Sequence, residues 1–428
     1  MLIEFSISNY RSFREKQTFS MVAAPRLKKG DNVFKPVVKG EKLPDLLKVA
    51  AIYGPNASGK SNLIKAFGIV KAIAERQPSA QTTVLPVAPF RFDSELADQP
   101  TRIELHFICA EQRYEFELAL TQQRIVHERL VAYPNGKETL LYERLHLSSG
   151  DEYTFGQQLE GGKDLHGLWK KATNAQMLFI AQAVANSSEE LNQLRSPLEW
   201  LRKGIITVSG NMDVWSDTSQ ALAKDYPDFA EKISSFLQNV DVPVTNIRIV
   251  PIEADVNLPT LTEFYSGIPR PTEFMDRVKS LGTQTKTILT HKTSLGEAEF
   301  DFQEESEGTK NLIGFFLPWN NLFNSNIVTH RILIVDELDS SLHPEIVISL
   351  VAKHIKSETP TQLIFTTHDT HLMDAKLLRR DQFWLTERDA NGATQLRSIH
   401  DFEGRESEDL EKRYYEGRYR GLPFVRRS

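Results

Sequence analysis

The eight residues GPNASGKS, Gly54 to Ser61, constrain this chain more than any other stretch. They fit the pattern G-x-x-x-x-G-K-[ST] and follow the apolar run LLKVAAIYG. After them comes NLIKAFGIVKAIAER, whose Leu63, Ile64, Phe67, Val70 and Ile73 recur at helical spacing. A predicted strand, a glycine-rich turn and a predicted helix in that order make a phosphate-binding loop. The N–H groups of the turn and of the helix start point at phosphate oxygens. In this reading Gly54, Asn56, Gly59, Lys60 and Ser61 bind a nucleotide. Lys60 reaches the β- and γ-phosphates of ATP, and the Ser61 hydroxyl ligates Mg²⁺.

Two further apolar runs end in polar residues suited to that chemistry. RILIVDE, Arg331 to Glu337, reads as a buried strand ending in two carboxylates. Asp336 is placed to hold Mg²⁺ through water, and Glu337 to take the proton of an attacking water as general base. LIFTTHD places His368 just past the end of another strand, in reach of a γ-phosphate or of that water. His343 in SSLHPE and His371 have weaker claims. The stretch EESEGTKNLIGFF leaves two readings open: Ser306 is a helix N-cap, or it belongs to an anion site made of a hydroxyl, a glycine and a helix N-terminus.

Between these motifs the pattern changes. From about Arg102 to Leu147 apolar and polar residues alternate, and PNGKE supplies Asn-Gly turn chemistry between the last two runs. That predicts an antiparallel meander. From about Asp164 to Asn239 the spacing favours helices, DLHGLWKKATNAQMLFIAQAVA and DFAEKISSFLQNV being the clearest. Strand-like pieces resume at NIRIVPIE, TKTILTHKT and AEFDF, and helix and strand alternate thereafter. The 428 residues, 40% hydrophobic and 25% charged, suffice for one elaborated domain or two lobes. A net charge of -6 excludes a surface basic all over, though not a local nucleic-acid patch. Cys109 stands alone in a strand-like run, so it reads as a small buried hydrophobe in a reducing cytosol. No apolar run approaches the roughly 20 residues that cross a bilayer. A cytoplasmic protein without membrane contact is expected.

The order of these motifs resembles the ABC-type ATPases, and within them the RecF/SMC/OLD branch, whose chains open with a strand and an N-[FY]-[RK]-S-F turn. Here that turn is Asn9-Tyr10-Arg11-Ser12-Phe13. The resemblance covers residues 1–70 and 300–428. It implies an α/β fold, an ABC-type P-loop ATPase head with an antiparallel β-subdomain and an inserted helical lobe. The head would comprise residues 1–160 and 286–428, with the lobe at 161–285. The resemblance adds Arg11 to the nucleotide-binding residues. In the family, the segment before the Asp-Glu strand is the signature motif that contacts the γ-phosphate held by a second subunit. ESEGTK keeps its Ser306 and Gly308 and departs from it at Glu305 and Glu307. A homodimer or higher oligomer with ATP between subunits is therefore implied.

The insertion is too short, and too rich in strands, for SMC arms. About sixty residues follow His368, too few for the nuclease domain of OLD proteins. The ending Tyr414 to Pro423, Y-x-x-G-R-Y-x-G-x-P, looks like stand-alone bacterial ATPases of antiphage defence, RloA-like, PARIS-type or Septu-type. That resemblance implies an ATP-hydrolysing switch or sensor acting with a separately encoded effector, a nuclease in many such systems. A RecF-like DNA-repair clamp is the alternative, with direct contact to nucleic acid. A transporter ATPase subunit fits less well. The six basic residues against two acids in Glu411–Ser428, interleaved with tyrosines, read either as a docking surface or as a tail packed by its aromatics.

Overall fold

Alternation of side chains gives the first sheet one buried face. Ile103, Leu105 and Phe107 on one strand and Tyr114, Phe116 and Leu118 on the next are buried, while Glu104, His106, Glu115 and Glu117 face away. The computed structural model describes residues 1–76, 84–188, 190–210, 212–253, 283–323, 330–340, 342–373, 377–405, 408–419 and 421. The chain forms two compact units, Met1–Gly210 with Asn321–Ser428, and Asn211–Asn320.

The first unit begins with strands β1 (Leu2–Ser8), β2 (Gln17–Ser20), the short pair β3 (Val33–Phe34) and β4 (Leu46–Leu47), and β5 (Val49–Tyr53) before helix α1 (Lys60–Glu75). The expected meander follows as β6 (Thr101–Cys109), β7 (Gln112–Leu120), β8 (Ile125–Ala132) and β9 (Thr139–Leu147), and β10 (Gly150–Phe155) extends it past the expected end at Leu147. These strands form an antiparallel sheet in the order β10-β9-β8-β7-β6-β1-β2. The turn between β8 and β9 carries Asn135 and Gly136 at φ 53° and 75°, as Asn-Gly chemistry requires.

Helices α2 (Gly162–Ala172), α3 (Phe179–Ala185) and α4 (Asn192–Glu199) precede β11 (Ile205–Val208). The helical run around TNAQML is interrupted there by two buried charges. Arg144, 1% exposed, donates to the Asn174 and Met177 carbonyls at 2.9 and 2.8 Å. Glu128, fully buried, accepts from the N–H groups of Phe179 and Ile180 and so caps α3. Trp169, Phe179 and Trp200 lie in the same core as β1, β6 and α1. By packing, these helices belong to the first unit, whereas the motif-based division into 1–160, 161–285 and 286–428 sets them in the lobe.

The second unit holds α5 (Asp213–Asp225), α6 (Pro227–Gln238) and an antiparallel sheet of β12 (Val244–Glu253), β13 (Thr283–Thr293) and β14 (Gly296–Asp301). It also holds the start of α7 (Glu307–Phe323), whose Phe316 ring meets Phe229 and Phe236 at 5.2 and 5.4 Å. Back in the first unit come β15 (Ile332–Val335), α8 (Pro344–Lys356), β16 (Gln362–Thr366), β17 (Phe383–Arg388), β18 (Thr394–Ser398) and α9 (Leu410–Tyr415). The second large sheet runs β11-β15-β16-β5-β17-β18, parallel except for β18. One core joins α1 to both large sheets, with Phe5 stacked on Phe67 at 3.9 Å on one side and Ala50, Ile52, Ile334 and Ile364 on the other. The Gln362 side chain ties the sheets directly, bonding both the N–H and the carbonyl of Leu2.

A buried histidine makes this assembly acid-sensitive. His354 is 1% exposed, bonds the Lys48 carbonyl at 3.1 Å, and burial pushes its pKa from 6.5 down to about 4. The unfolded chain therefore binds a proton at a pH where the folded one does not. The stability it permits is complete above pH 6.5 and is lost as pH falls from 6.5 toward 4, by up to about 3 kcal/mol. Denaturant titrations across that range should show the loss, and His354→Gln should make the slope shallower without abolishing it, because burial also lowers the pKa of His330 to about 4. An unchanged slope in that variant would remove His354 as its source.

Candidate functional site

The site is built at the carboxyl edge of the parallel strands. β5, buried along its whole length, lies between β16 and β17, both of which come later in the chain. The loop Gly54–Gly59 follows β5 directly, at the carboxyl ends of these strands. Two glycines there are sterically obligatory. A Cβ on Gly54 would lie 2.3 Å from Thr386 Oγ1, and one on Gly59 would lie 2.1 Å from Thr394 Oγ1. Thr386 and Thr394 also hold the loop by hydrogen bonds. Ser58 Oγ meets Thr386 Oγ1 at 2.5 Å, and Thr394 Oγ1 donates to the Ser58 carbonyl at 2.8 Å. The crest, Asn56 and Ala57, is exposed.

Lys60 opens α1, with Gly59 at the N-cap in a left-handed conformation, φ 110°. Its side chain curls back over the loop and donates to the carbonyls of Gly54 at 2.7 Å and Pro55 at 3.3 Å. Lys60 is only 6% exposed. Burial lowers its ammonium pKa, against the pull of Asp336, Glu337 and Asp339. Those three carboxylates therefore lie within electrostatic reach of the loop. Ser61 follows on the first turn of the helix, half-buried.

The carboxylates are set by Thr366, the last residue of β16. Its hydroxyl donates to Asp336 Oδ1 and accepts from the Glu337 N–H, both at 2.7 Å. Glu337 adopts φ 54°, a left-handed conformation that costs energy in a residue with a Cβ and leaves its side chain exposed. His368, also exposed, stands two residues past β16, and its N–H donates to Asp339 Oδ2 at 3.1 Å. Loop, carboxylate pair and histidine thus gather at the ends of three adjacent strands, β15, β16 and β5. His343 instead caps α8, and His371 pairs with Asp369, which raises its pKa.

The opening turn reaches this site through Ser12. Ser12 Oγ accepts from Asn62 at 2.8 Å and meets Thr394 Oγ1 at 2.7 Å, and the Thr394 N–H donates to the Ser12 carbonyl. Arg11 is exposed, its guanidinium bonded to the Tyr10 hydroxyl at 2.9 Å. Ser12 and Thr366 lie within the NYRSF and LIFTTHD stretches, whereas Asn62, Thr386 and Thr394, which also brace the site, lie outside the motifs. Their shared sequence signal is faint, a hydroxyl or amide residue near a strand or helix end.

Ser306 and Gly308 belong to the second unit. Ser306 Oγ accepts from the Thr309 N–H at 3.2 Å, the geometry of an N-cap at the start of α7. Ser306 is nevertheless exposed, and Gly308 sits half-buried in the first turn. The two substituted positions are engaged locally, Glu305 with His291 at 2.6 Å and Glu307 with Lys310 at 3.2 Å.

Oxygen donors from Ser61 and Asp336 suit a hard cation such as Mg²⁺, and Lys60 with the loop N–H groups suits a polyphosphate. Residues 49–374 match the family model described as "AAA domain, putative AbiEii toxin, Type IV TA system". Among solved structures the chain is similar to the SMC head domain from Thermotoga maritima, with 15% identity over 93% of this chain and 98% of that one and a TM-score of 0.41. It is also similar to the SmcHead bound to the C-winged helix domain of ScpA, at 13% identity, 93% and 97% coverage and a TM-score of 0.40. No curated protein sequence matches it.

Proposed function

Because the chain belongs to the AAA-domain family matched over residues 49–374, we propose that it is an ATP-hydrolysing switch whose active site is completed by a second copy of itself. The observation that carries this is the convergence of Lys60, Asp336, Glu337 and His368 on one edge of the parallel sheet. Lys60 trades its two carbonyl partners for phosphate oxygens, and Gly54, Asn56 and Gly59 present the backbone of the loop to them. Arg11 is a further contact proposed for the nucleotide. Ser61 and Asp336 would hold Mg²⁺, which when bound would supply neutralising charge to the phosphates. Glu337 takes the proton of the attacking water and His368 orients it. The exposed helix start at Ser306 and Gly308 is an anion site for the γ-phosphate bound by the partner.

The family's description includes "putative AbiEii toxin, Type IV TA system". That description favours a defence role; the cytoplasmic setting and the separately encoded effector, such as a nuclease, are part of the proposal and rest on the resemblance of the motifs and of the ending Tyr414 to Pro423 to stand-alone defence ATPases. The shared site is tested by mixing two inactive proteins. Ser306→Arg should retain ATP binding at its own loop yet lose hydrolysis, and Lys60→Ala should lose ATP binding. An equimolar, freely exchanging mixture should recover about a quarter of wild-type activity, since half the pairs contain one intact composite site. If Ser306→Arg alone hydrolyses ATP at the wild-type rate, ESEGTK is only a capped helix start.

A further inference from the structure

The turn that carries His368 is held from three directions, and one of them is the C-terminal helix. From the phosphate-loop side, the hydroxyl of Tyr53, the residue before Gly54, donates to the Asp369 carbonyl at 2.9 Å. From the carboxylate side, Asp339 accepts from the His368 N–H. From the C-terminal side, the Thr370 hydroxyl donates to Glu411 Oε1 at 2.6 Å and meets the Tyr415 hydroxyl at 3.0 Å. Glu411 and Tyr415 sit four residues apart on α9, so both face the same turn. The helix is itself anchored in the core: Tyr414 is buried, its ring 6.3 Å from that of Tyr53 and its hydroxyl bonded to the Gly421 carbonyl. Leu410 and Tyr419 are each 2% exposed. Of the ending singled out in the sequence, these aromatics are therefore built in, while Arg420 and residues 422–428 lie outside the described residues.

A threonine hydroxyl has one proton. Donating it to a carboxylate fixes its lone pairs, and the Tyr415 hydroxyl is placed to use one of them. Tyr415 is 62% exposed, so its hydroxyl contact is a larger part of what it does than burial is. We infer that Glu411 and Tyr415, acting through Thr370, are positioning residues that hold the His368 turn in the geometry hydrolysis requires. This rests on the role assigned to His368 above. The helix touches neither substrate nor the reacting atoms in this account. It sets where the imidazole stands, and it makes the C-terminal segment part of the catalytic edge rather than an appendage.

Full-length Thr370→Val and Tyr415→Phe remove one hydroxyl each with little change in shape. Steady-state hydrolysis and fluorescent-nucleotide binding should be measured for both, alone and with His368→Ala. With ATP affinity unchanged, Thr370→Val should lower kcat about tenfold, since a hydrogen bond to a carboxylate is at stake, and Tyr415→Phe by about threefold, since its bond joins two neutral hydroxyls. Thr370→Ser, which keeps the hydroxyl, should restore kcat. With His368→Ala already present, Thr370→Val should cost nothing more. A further loss in that background would show a general structural role and overturn the inference, as would wild-type kcat in Thr370→Val beside a slow His368→Ala. If His368→Ala itself turns over like wild type, the role of His368 falls and the inference falls with it.

Discussion

Lys60→Ala is expected to lower ATP affinity by about 100- to 1,000-fold, because it removes one charged donor that would make two phosphate contacts. The ammonium is already desolvated in the protein, 6% exposed and, among the described residues, bonded to the neutral carbonyls of Gly54 and Pro55. A desolvated cation with nearby but unbonded carboxylates is poised for a stronger anionic partner. The fold should survive, since α1 is held by Leu63, Ile64, Phe67, Val70 and Ile73 in the core and not by Lys60. Calorimetric titration with ATP, beside a thermal melt, checks both halves. Unchanged affinity in a folded variant would remove the loop from the account.

Glu337→Gln should bind ATP normally while kcat falls by about 10²- to 10⁴-fold, the contribution typical of a general base. The amide has nearly the same shape but cannot accept the proton of the water. The turn should not move, because its lock is the bond from the Glu337 N–H to Thr366, which the substitution leaves in place. Blocked at that step, the variant should accumulate the ATP-bridged pair, visible as a doubling of mass in light scattering. Wild-type turnover would place the base elsewhere, with His368 next to be tested.

What was legible in the sequence follows from how local each feature is. Gly54–Ser61 could be read because strand, turn and helix start are contiguous and Gly54 and Gly59 take positive φ, 152° and 110°, although the tight contacts that also demand glycine there come from the distant Thr386 and Thr394. The meander could be read because a half-buried antiparallel sheet writes period two into its own strands, and because Asn135 and Gly136 supply the positive φ of a tight turn. Asp336 and Glu337 showed as acids ending an apolar run. β11, with only four residues, and β2 carried no such pattern.

The sequence by itself determined the phosphate loop, the two strand-end motifs and the alternation of the sheets, since each is a short-range pattern of side-chain size and polarity. Only the tertiary structure decided what those motifs rest on. Ser12 reaches Thr394 across 382 positions, Ser58 reaches Thr386 across 328, and Tyr53 reaches Asp369 across 316. It also decided that β5 lies between two strands from the far end of the chain, and that Glu411 and Tyr415 close on Thr370. The physical reason is that a hydrogen bond between distant residues leaves no periodicity behind. A lone threonine or serine looks the same in a sequence whether it faces water or holds a catalytic turn, and only the packed chain, by excluding water from one of them, tells the two apart.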